Sequence, residues 1–217
     1  MERTITVKGT GKVSVAPDLI AVSLTIKSLD KDYEKSMKNA SVKLAALEET
    51  LEEIGFEKSA LKTSYYNVST EYRNIYDKNG SSRSVFMGYA SRQDLKLEFD
   101  FDTGTLSKVL SAVAGCISEP ELGIRFSVKD KSAVSDALLE NAAQNARKKA
   151  EVLTKAAGVK LGELLSISYN WAELDLYSDT NYGIEARCLC DAPNIAMDIT
   201  PDNIEVGDSA TFVWAIA

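Results

Sequence analysis

The chain has 217 residues, of which 45% are hydrophobic and 26% charged, so it carries enough apolar material for one sizeable core. Its 25 Lys and Arg against 32 Asp and Glu give a net charge of −7, which argues against binding to a phosphate backbone. It contains no histidine, which excludes Ser-His-Asp and Cys-His catalysis and His-ligated zinc. No run approaches the roughly 20 apolar residues of a membrane span. We expect a single domain over residues 1–217.

The location of the protein is predicted from its first residues and its cysteines. Met1-Glu2-Arg3 leads directly into a strand pattern without an apolar signal region, which favours a cytoplasmic protein. A periplasmic or cell-surface location is the alternative if a signal peptide has been removed. The spacing of the three cysteines, Cys116, Cys188 and Cys190, does not indicate a set of disulfide bonds. Their number is odd, and Cys188 and Cys190 are too close in sequence to form a disulfide with each other readily.

The first third of the chain predicts two strands and a long helix. Apolar residues alternate with polar ones on both sides of Pro17-Asp18, which is typical of paired β-strands. From Asp30 the apolar period changes to steps of three and four residues, and Gly55 follows at a position suited to a helix end with positive φ.

The remaining elements follow in the same way. Extended runs flank Asn79-Gly80, a hairpin turn signal, and predict a long hairpin that ends near Phe101. A short helix, a strand and an Ala-rich helix over residues 132–157, stopped by Gly158, come next. Residues 171–200 lack steady periodicity and predict an irregular excursion before a terminal strand over residues 211–216.

These elements predict an α+β fold: a twisted mixed or antiparallel sheet with both long helices packed on one face. Each helix presents an apolar stripe for that contact, Leu44, Leu47 and Leu51 on the first and Val134, Leu138 and Leu153 on the second. The order of strand, helix, glycine and strand occurs twice, which indicates an internal duplication.

Four segments resemble one family closely. They are ITVKGTGKVSVAPDLIAVSLTI, the strand from Gly88-Tyr89 to Phe101-Asp102, ALLENAAQNARKKAEVLTKAAGVKLGELLSI and PDNIEVGDSATFVWAI. In this order they resemble the SIMPL domain family, the domain of unknown function 541. The resemblance implies a twisted sheet with two packed helices and self-association into ring- or barrel-like oligomers, and it implies no established catalytic activity. We expect the chain to differ from the commoner bacterial pattern in lacking an export signal, and it carries the Cys188-Leu-Cys190 segment.

Two groups of residues are weighed as metal ligands. Cys188 and Cys190 alternate on an extended segment and, with Cys116 or Asp191, form a weak candidate for a soft metal or for a thiol-dependent enzyme. Incidental thiols are the favoured interpretation, since no second pair and no histidine complete a site. Glu98, Asp100 and Asp102 share one side of a strand, and a solvated outer sheet face is favoured over a cation site.

Two further motifs receive structural interpretations. The Gly9-Thr10-Gly11 segment lacks the third glycine and the helix of a dinucleotide fingerprint, so its glycines are predicted to permit a bulge or a close strand approach. The basic cluster consists of Arg147, Lys148, Lys149, Lys155 and Lys160. We expect it to form a solvated helix face paired with neighbouring glutamates.

The long hairpin is the predicted contact between copies of the chain. Its aromatic residues are Tyr65, Tyr66, Tyr72, Tyr76, Phe86 and Tyr89. Arg73, Lys78, Arg83 and Arg92 make the same segment locally basic. The sequence therefore predicts a non-enzymatic, self-assembling scaffold or protein-interaction domain without a cofactor, whose partner is itself or another protein.

Overall fold

The structure, a computed structural model, describes residues 3–76, 82–170, 174–184 and 199–217. In this part of the chain the secondary structure consists of eight strands, three α-helices and one short 3₁₀-helix, Lys58–Ala60. The strands are β1 (Thr4–Val15), β2 (Leu19–Asp30), β3 (Leu61–Tyr76), β4 (Ser82–Asp100), β5 (Glu121–Ser127), β6 (Leu161–Ser168), β7 (Tyr177–Ile184) and β8 (Ile204–Ile216). The helices are α1 (Tyr33–Glu53), α2 (Thr103–Ala114) and α3 (Lys131–Ala156).

The chain folds into two compact units. The first unit comprises Met1–Asp18, Ser127–Asp179 and Pro201–Ala217, and the second comprises Leu19–Phe126 and Thr180–Thr200. The expectation of one domain over residues 1–217 stays a prediction.

The second unit is built on a sheet of order β3-β4-β2-β5-β7, in which β4 runs antiparallel to both of its neighbours. Helix α1 begins at Asp32, whose carboxylate accepts the backbone N–H of Glu34 and Lys35, and it ends before Gly55 at φ +101°. Its Leu47 and Leu51 are buried against β2 and β4 in a core that also contains α2. The alternating apolar residues of the strands thus meet an apolar helix stripe, as predicted.

The first unit contains a smaller sheet of order β1-β8-β6, covered by α3. An alanine stripe, Ala142, Ala146 and Ala150, is buried where α3 contacts this sheet. Gly9 and Gly11 of β1 lie so close to the helix that a Cβ atom at either position would come within 2.0 Å of an α3 carbonyl oxygen. The Gly-x-Gly motif therefore permits close approach of a helix to a strand.

The predicted α+β class, with antiparallel strands and long helices packed on sheet, is confirmed. The placement of both long helices on one sheet is wrong, because α1 covers the five-stranded sheet and α3 covers the three-stranded sheet. The internal duplication is not confirmed either: β2 and β3, which flank α1, share a sheet, whereas β5 and β6, which flank α3, belong to different sheets.

Two local predictions also differ from the structure. Leu153 is 52% exposed instead of joining the apolar stripe of α3, because the helix packs through its alanines. The predicted irregular excursion contains strand β7, whose polar sequence YSDTNYGI gave no apolar alternation. Residues 185–198 of that excursion lie outside the described residues.

Candidate interaction surface

The hairpin of β3 and β4 extends beyond the rest of its sheet. Strand β4 pairs with β2 only as far as Asp30 and Tyr89, whereas its pairing with β3 continues to Tyr76 and Ser82. Residues 71–76 and 82–88 therefore form a two-stranded arm, called the arm below. Because a strand pair without further neighbours has no other layer to cover it, both faces of the arm are largely exposed.

The arm begins at a bulge that depends on a glycine. The register shifts between Glu71 and Tyr72, and β4 contributes one extra residue, Met87, at this point. Gly88 has φ +148°, and a Cβ atom there would lie 2.4 Å from the carbonyl oxygen of Asp30. Only glycine meets both conditions without strain, so Gly88 fixes where the arm leaves the sheet.

A continuous row of aromatic rings, called the aromatic strip below, extends from the sheet onto one face of the arm. It runs from Tyr33 at the start of α1 through Tyr89 and Phe86 to Tyr72. Successive ring centroids are 5.5, 5.4 and 5.5 Å apart, in edge-to-face geometry. These contacts fix the rings relative to each other, yet Tyr72 remains 57% exposed. The strip is therefore a preformed and partly exposed apolar surface.

The structure brings some of the predicted interface residues together and separates others. Tyr72, Phe86 and Tyr89 belong to the strip. Tyr66 lies on the same face, as its alignment with Gln93 and Ile26 shows, and its hydroxyl lies 2.9 Å from the sulfur of Met37 on α1.

Tyr76 and Tyr65, two of the predicted interface residues, do not belong to the strip. Tyr76 is 70% exposed near the outer end of the arm. Tyr65 aligns with Asp94 and lies on the opposite face of the sheet, which sequence alternation alone predicts for two adjacent strand residues. Tyr33 was missed, because its contact with Tyr89 joins a helix start to a distant strand.

The basic residues predicted for the hairpin are also divided. Arg73 and Arg83 are exposed on the arm, whereas Lys78 lies outside the described residues. Arg92 lies outside the arm, where β4 is paired with both β2 and β3, and it donates from Nε to both oxygens of Asp94, at 3.0 and 3.2 Å. Burial raises the pKa of Asp94, but hydrogen bonds from Thr25 and Arg92 and the neighbouring cationic charges outweigh it and hold that pKa below its ordinary value. Arg92 is thus engaged in the sheet.

The predicted carboxylate group has structural roles at two of its three positions. Glu98 forms an ion pair with Lys96. Asp102 caps α2 by accepting the N–H groups of Gly104 and Thr105, and hydrogen bonds from the Thr105 hydroxyl and these amides hold its pKa below the ordinary value. Within residues 3–76, 82–170, 174–184 and 199–217, no group of three Cys, Asp or Glu side chains is arranged to hold a metal ion.

The cysteine and lysine clusters contribute no site in the described structure. Cys188 and Cys190 lie outside the described residues, and Cys116 is buried beside the Ser118 hydroxyl at 3.0 Å. On α3, Arg147 pairs with Glu151, and Lys149 donates to the carbonyl oxygen of Lys8. In the part of the chain that the structure describes, no helix has the length and apolar character needed to cross a bilayer.

The described structure is thus an α+β scaffold that carries an arm with exposed aromatic side chains. The family model of SIMPL, a protein of unknown function (DUF541), matches residues 5–214, and the chain belongs to this family. It is 27% identical over 167 residues to the 26 kDa periplasmic immunogenic protein of Brucella melitensis biotype 1, and 26% identical to the protein of the same name from Brucella abortus strain S19. Each match covers 76% of this chain and 65% of the relative, which is less than two thirds of the relative's length.

Proposed function

We propose that this protein is a non-enzymatic, self-assembling interaction domain whose copies associate through the arm. The observation that carries the proposal is the aromatic strip, because it holds four rings in contact with one another and leaves Tyr33, Tyr72 and Phe86 exposed. Tyrosine and phenylalanine are enriched in the cores of protein interfaces, where they bury large areas at a small cost in side-chain entropy.

The partner that we favour is a second copy of the chain. The net charge of −7 opposes association, but the arm itself exposes Arg73 and Arg83 beside the aromatic rings. These cations are suited to the acidic surface that the rest of an identical chain provides. Burial of apolar surface stabilises an interface by about 25 cal/mol per Å², so association requires several large apolar side chains at one place. The aromatic strip supplies such side chains.

A catalytic role is not proposed. The chain has no histidine for proton transfer near neutral pH, and the description of its family names no activity. The names of the two relatives also concern location: both are called periplasmic, which favours an exported protein over the cytoplasmic location predicted from the first residues.

The test removes the arm or changes only its aromatic face. Deletion of residues 74–83 with a tight turn in their place, and the double substitution Tyr72→Ser with Phe86→Ser, are both expected to lower the mass measured by light scattering. Tyr65→Ser is the matched control, because Tyr65 is a half-exposed tyrosine of the same strand on the opposite face of the sheet. If both arm variants are folded by circular dichroism and keep the parent's mass, the arm does not join copies and the proposal fails.

A further inference from the structure

The turn between α2 and β5 holds an isoleucine in water. Among the large hydrophobic residues that the structure describes, Ile117 has the most exposed side chain, at 76%. Its two neighbours have the opposite surroundings: Cys116 and Ser118 are buried, and the Sγ of the first lies 3.0 Å from the Oγ of the second. The turn thus buries a serine and exposes an isoleucine at adjacent positions, which is the reverse of the usual preference of these residues.

The conformation of this turn is fixed by hydrogen bonds and by a strained residue. The amide of Cys116 donates to the carbonyl oxygen of Val113, and the amide of Glu119 donates to the carbonyl oxygen of Cys116, both at 3.1 Å. The Thr50 hydroxyl of α1 lies 3.5 Å from the Sγ of Cys116. Glu119 has φ +43°, in the left-handed region that residues with a Cβ atom rarely adopt. Strain of this kind is concentrated at binding and catalytic sites, so the exposure of Ile117 calls for a functional explanation.

Ile117 lies at a shallow pocket with two further exposed aliphatic residues. These are Leu29, near the end of β2, and Val42 on α1, whose side chains are 50% and 54% exposed. The pocket has a volume of about 390 Å³, and its lining is completed by Lys27, Ser28, Asn39 and Lys43. It is large enough to receive a branched aliphatic side chain from another molecule.

The rim of the pocket is basic. Lys43 donates from Nζ to the carbonyl oxygen of Lys27 at 2.9 Å, which uses one of the three donors of its ammonium group. Lys27 forms an ion pair with Glu121, so its charge is neutralised within the chain. Lys38 is exposed on α1 four residues before Val42, and this spacing places both on the same side of the helix. Two cations, Lys38 and Lys43, therefore accompany the aliphatic residues on a chain whose net charge is −7.

We propose that this pocket binds a segment of another protein in which an aliphatic side chain lies next to carboxylates. The aliphatic side chain fills the pocket between Leu29, Val42 and Ile117, and the carboxylates accept from the ammonium groups of Lys38 and Lys43. The strained turn holds Ile117 ready for this contact, which reduces the entropy lost on binding. The surface is separate from the arm and does not rest on the proposed function.

The acidic run of residues 48–53 shows why a second copy of the chain is not the favoured partner. This run of α1 contains four glutamates. Its Leu51 and the adjacent Leu47 are buried in the core of the second unit, however. A folded copy presents these carboxylates without an aliphatic side chain that could enter the pocket. The partner must expose both groups together, as an acidic amphipathic peptide does.

The test selects peptides from a displayed library of random sequences, with the full-length wild-type chain as bait and after depletion of the library on Ile117→Ser. Because Ile117 is exposed, the variant should melt within about 2 °C of the parent by circular dichroism. The retained peptides should combine leucine, isoleucine or valine with aspartate or glutamate. Measured singly by fluorescence anisotropy, they should bind Ile117→Ser about tenfold or more weakly than the wild type. Ile167→Ser is the matched control, since Ile167 is a 57% exposed isoleucine of the first unit, and it should bind them as the wild type does.

A second pair of variants tests the basic rim. Lys38→Glu should weaken binding of the same peptides by about tenfold. Lys148→Glu is its control, because Lys148 also lies four residues before an exposed valine, Val152, but on α3. Lys148→Glu should leave the affinity unchanged, although it changes the net charge equally.

The proposal is overturned if no peptide is retained, if the retained peptides lack acidic residues, or if they bind Lys38→Glu and Lys148→Glu with equal affinity. Light scattering tests the other occupant. If Ile117→Ser has a lower mass than the wild type at equal protein concentration, a second copy covers the pocket and the choice of an acidic aliphatic partner is wrong.

Discussion

Replacement of Gly9 by alanine tests the contact that holds the first unit together. A Cβ atom at this position would lie 2.0 Å from the carbonyl oxygen of Ala142 and 2.7 Å from the Cβ of Ala146. Neither neighbour can rotate away, because one is helix backbone and the other is an alanine methyl. An ordinary contact begins near 3.4 Å, so α3 would have to retreat from β1 by about 1.4 Å.

The expected cost follows from that displacement. A shift of this size loosens the packing of Val7 against Ala146 and Ala150 and lengthens the hydrogen bond from Thr10 to Asn145. Overpacking of a tight core costs about 1–3 kcal/mol, and a clash with backbone belongs at the upper end of that range. Since 1 kcal/mol corresponds to about 2–4 °C in a domain of 150–250 residues, Gly9→Ala should lower the melting temperature by about 6–12 °C.

Gly207→Ala is the matched control for this measurement. Gly207 lies on β8 next to β1, but a Cβ atom there would meet its nearest neighbour, the carbonyl oxygen of Gly11, at 3.6 Å. Its melting temperature, followed by circular dichroism, should stay within about 2 °C of the parent. If Gly9→Ala and Gly207→Ala melt within about 2 °C of each other, the close approach of α3 to β1 is not what stabilises the unit.

Two further predictions concern the second unit. Leu47 is fully buried, so Leu47→Ala should lower the free energy of unfolding by about 2–5 kcal/mol in urea titrations. The control Val42→Ala, at an exposed position of the same helix, should change this free energy by about 0.5 kcal/mol or less. Equal urea midpoints for the two variants would contradict the packing of α1. Because the folded-state pKa of Asp102 is depressed, its contribution is present above about pH 4 and is lost as the pH falls through that depressed value. The stabilities of the wild type and Asp102→Asn should therefore differ most near neutral pH and converge in acid, and a constant difference from about pH 7 to about pH 2 would contradict the role of the charge.

The elements themselves could be predicted because each leaves a local pattern. The steps of three and four residues in α1 and the glycines at its end and at the end of α3 depend only on helix geometry, and Gly55 and Gly158 do have positive φ. The division into two sheets could not be predicted, because periodicity shows that a face is apolar but not which other face it contacts. A signal was present: Gly9 and Gly11 on a strand match the small residues Ala142, Ala146 and Ala150 on a helix, and small residues on both sides permit close packing.

Only the part of the candidate surface that depends on a local sequence pattern could be predicted. The hairpin and its aromatic residues follow from alternation around a turn signal, and the alternation also places Tyr65 and Tyr66 on opposite faces. Tyr33 joins the strip only because α1 starts beside Tyr89, a contact between residues 56 positions apart that no local pattern encodes. The bulge at Gly88 is also tertiary in origin, since its glycine is required by the backbone of Asp30.

The packing of α3 also protects one edge of its sheet. Gly9 and Gly11 let the helix backbone reach β1, and only at that distance do Asn141, Asn145 and Lys149 reach the outward backbone groups of the strand. The contacts that stabilise the first unit therefore also close the β1 edge.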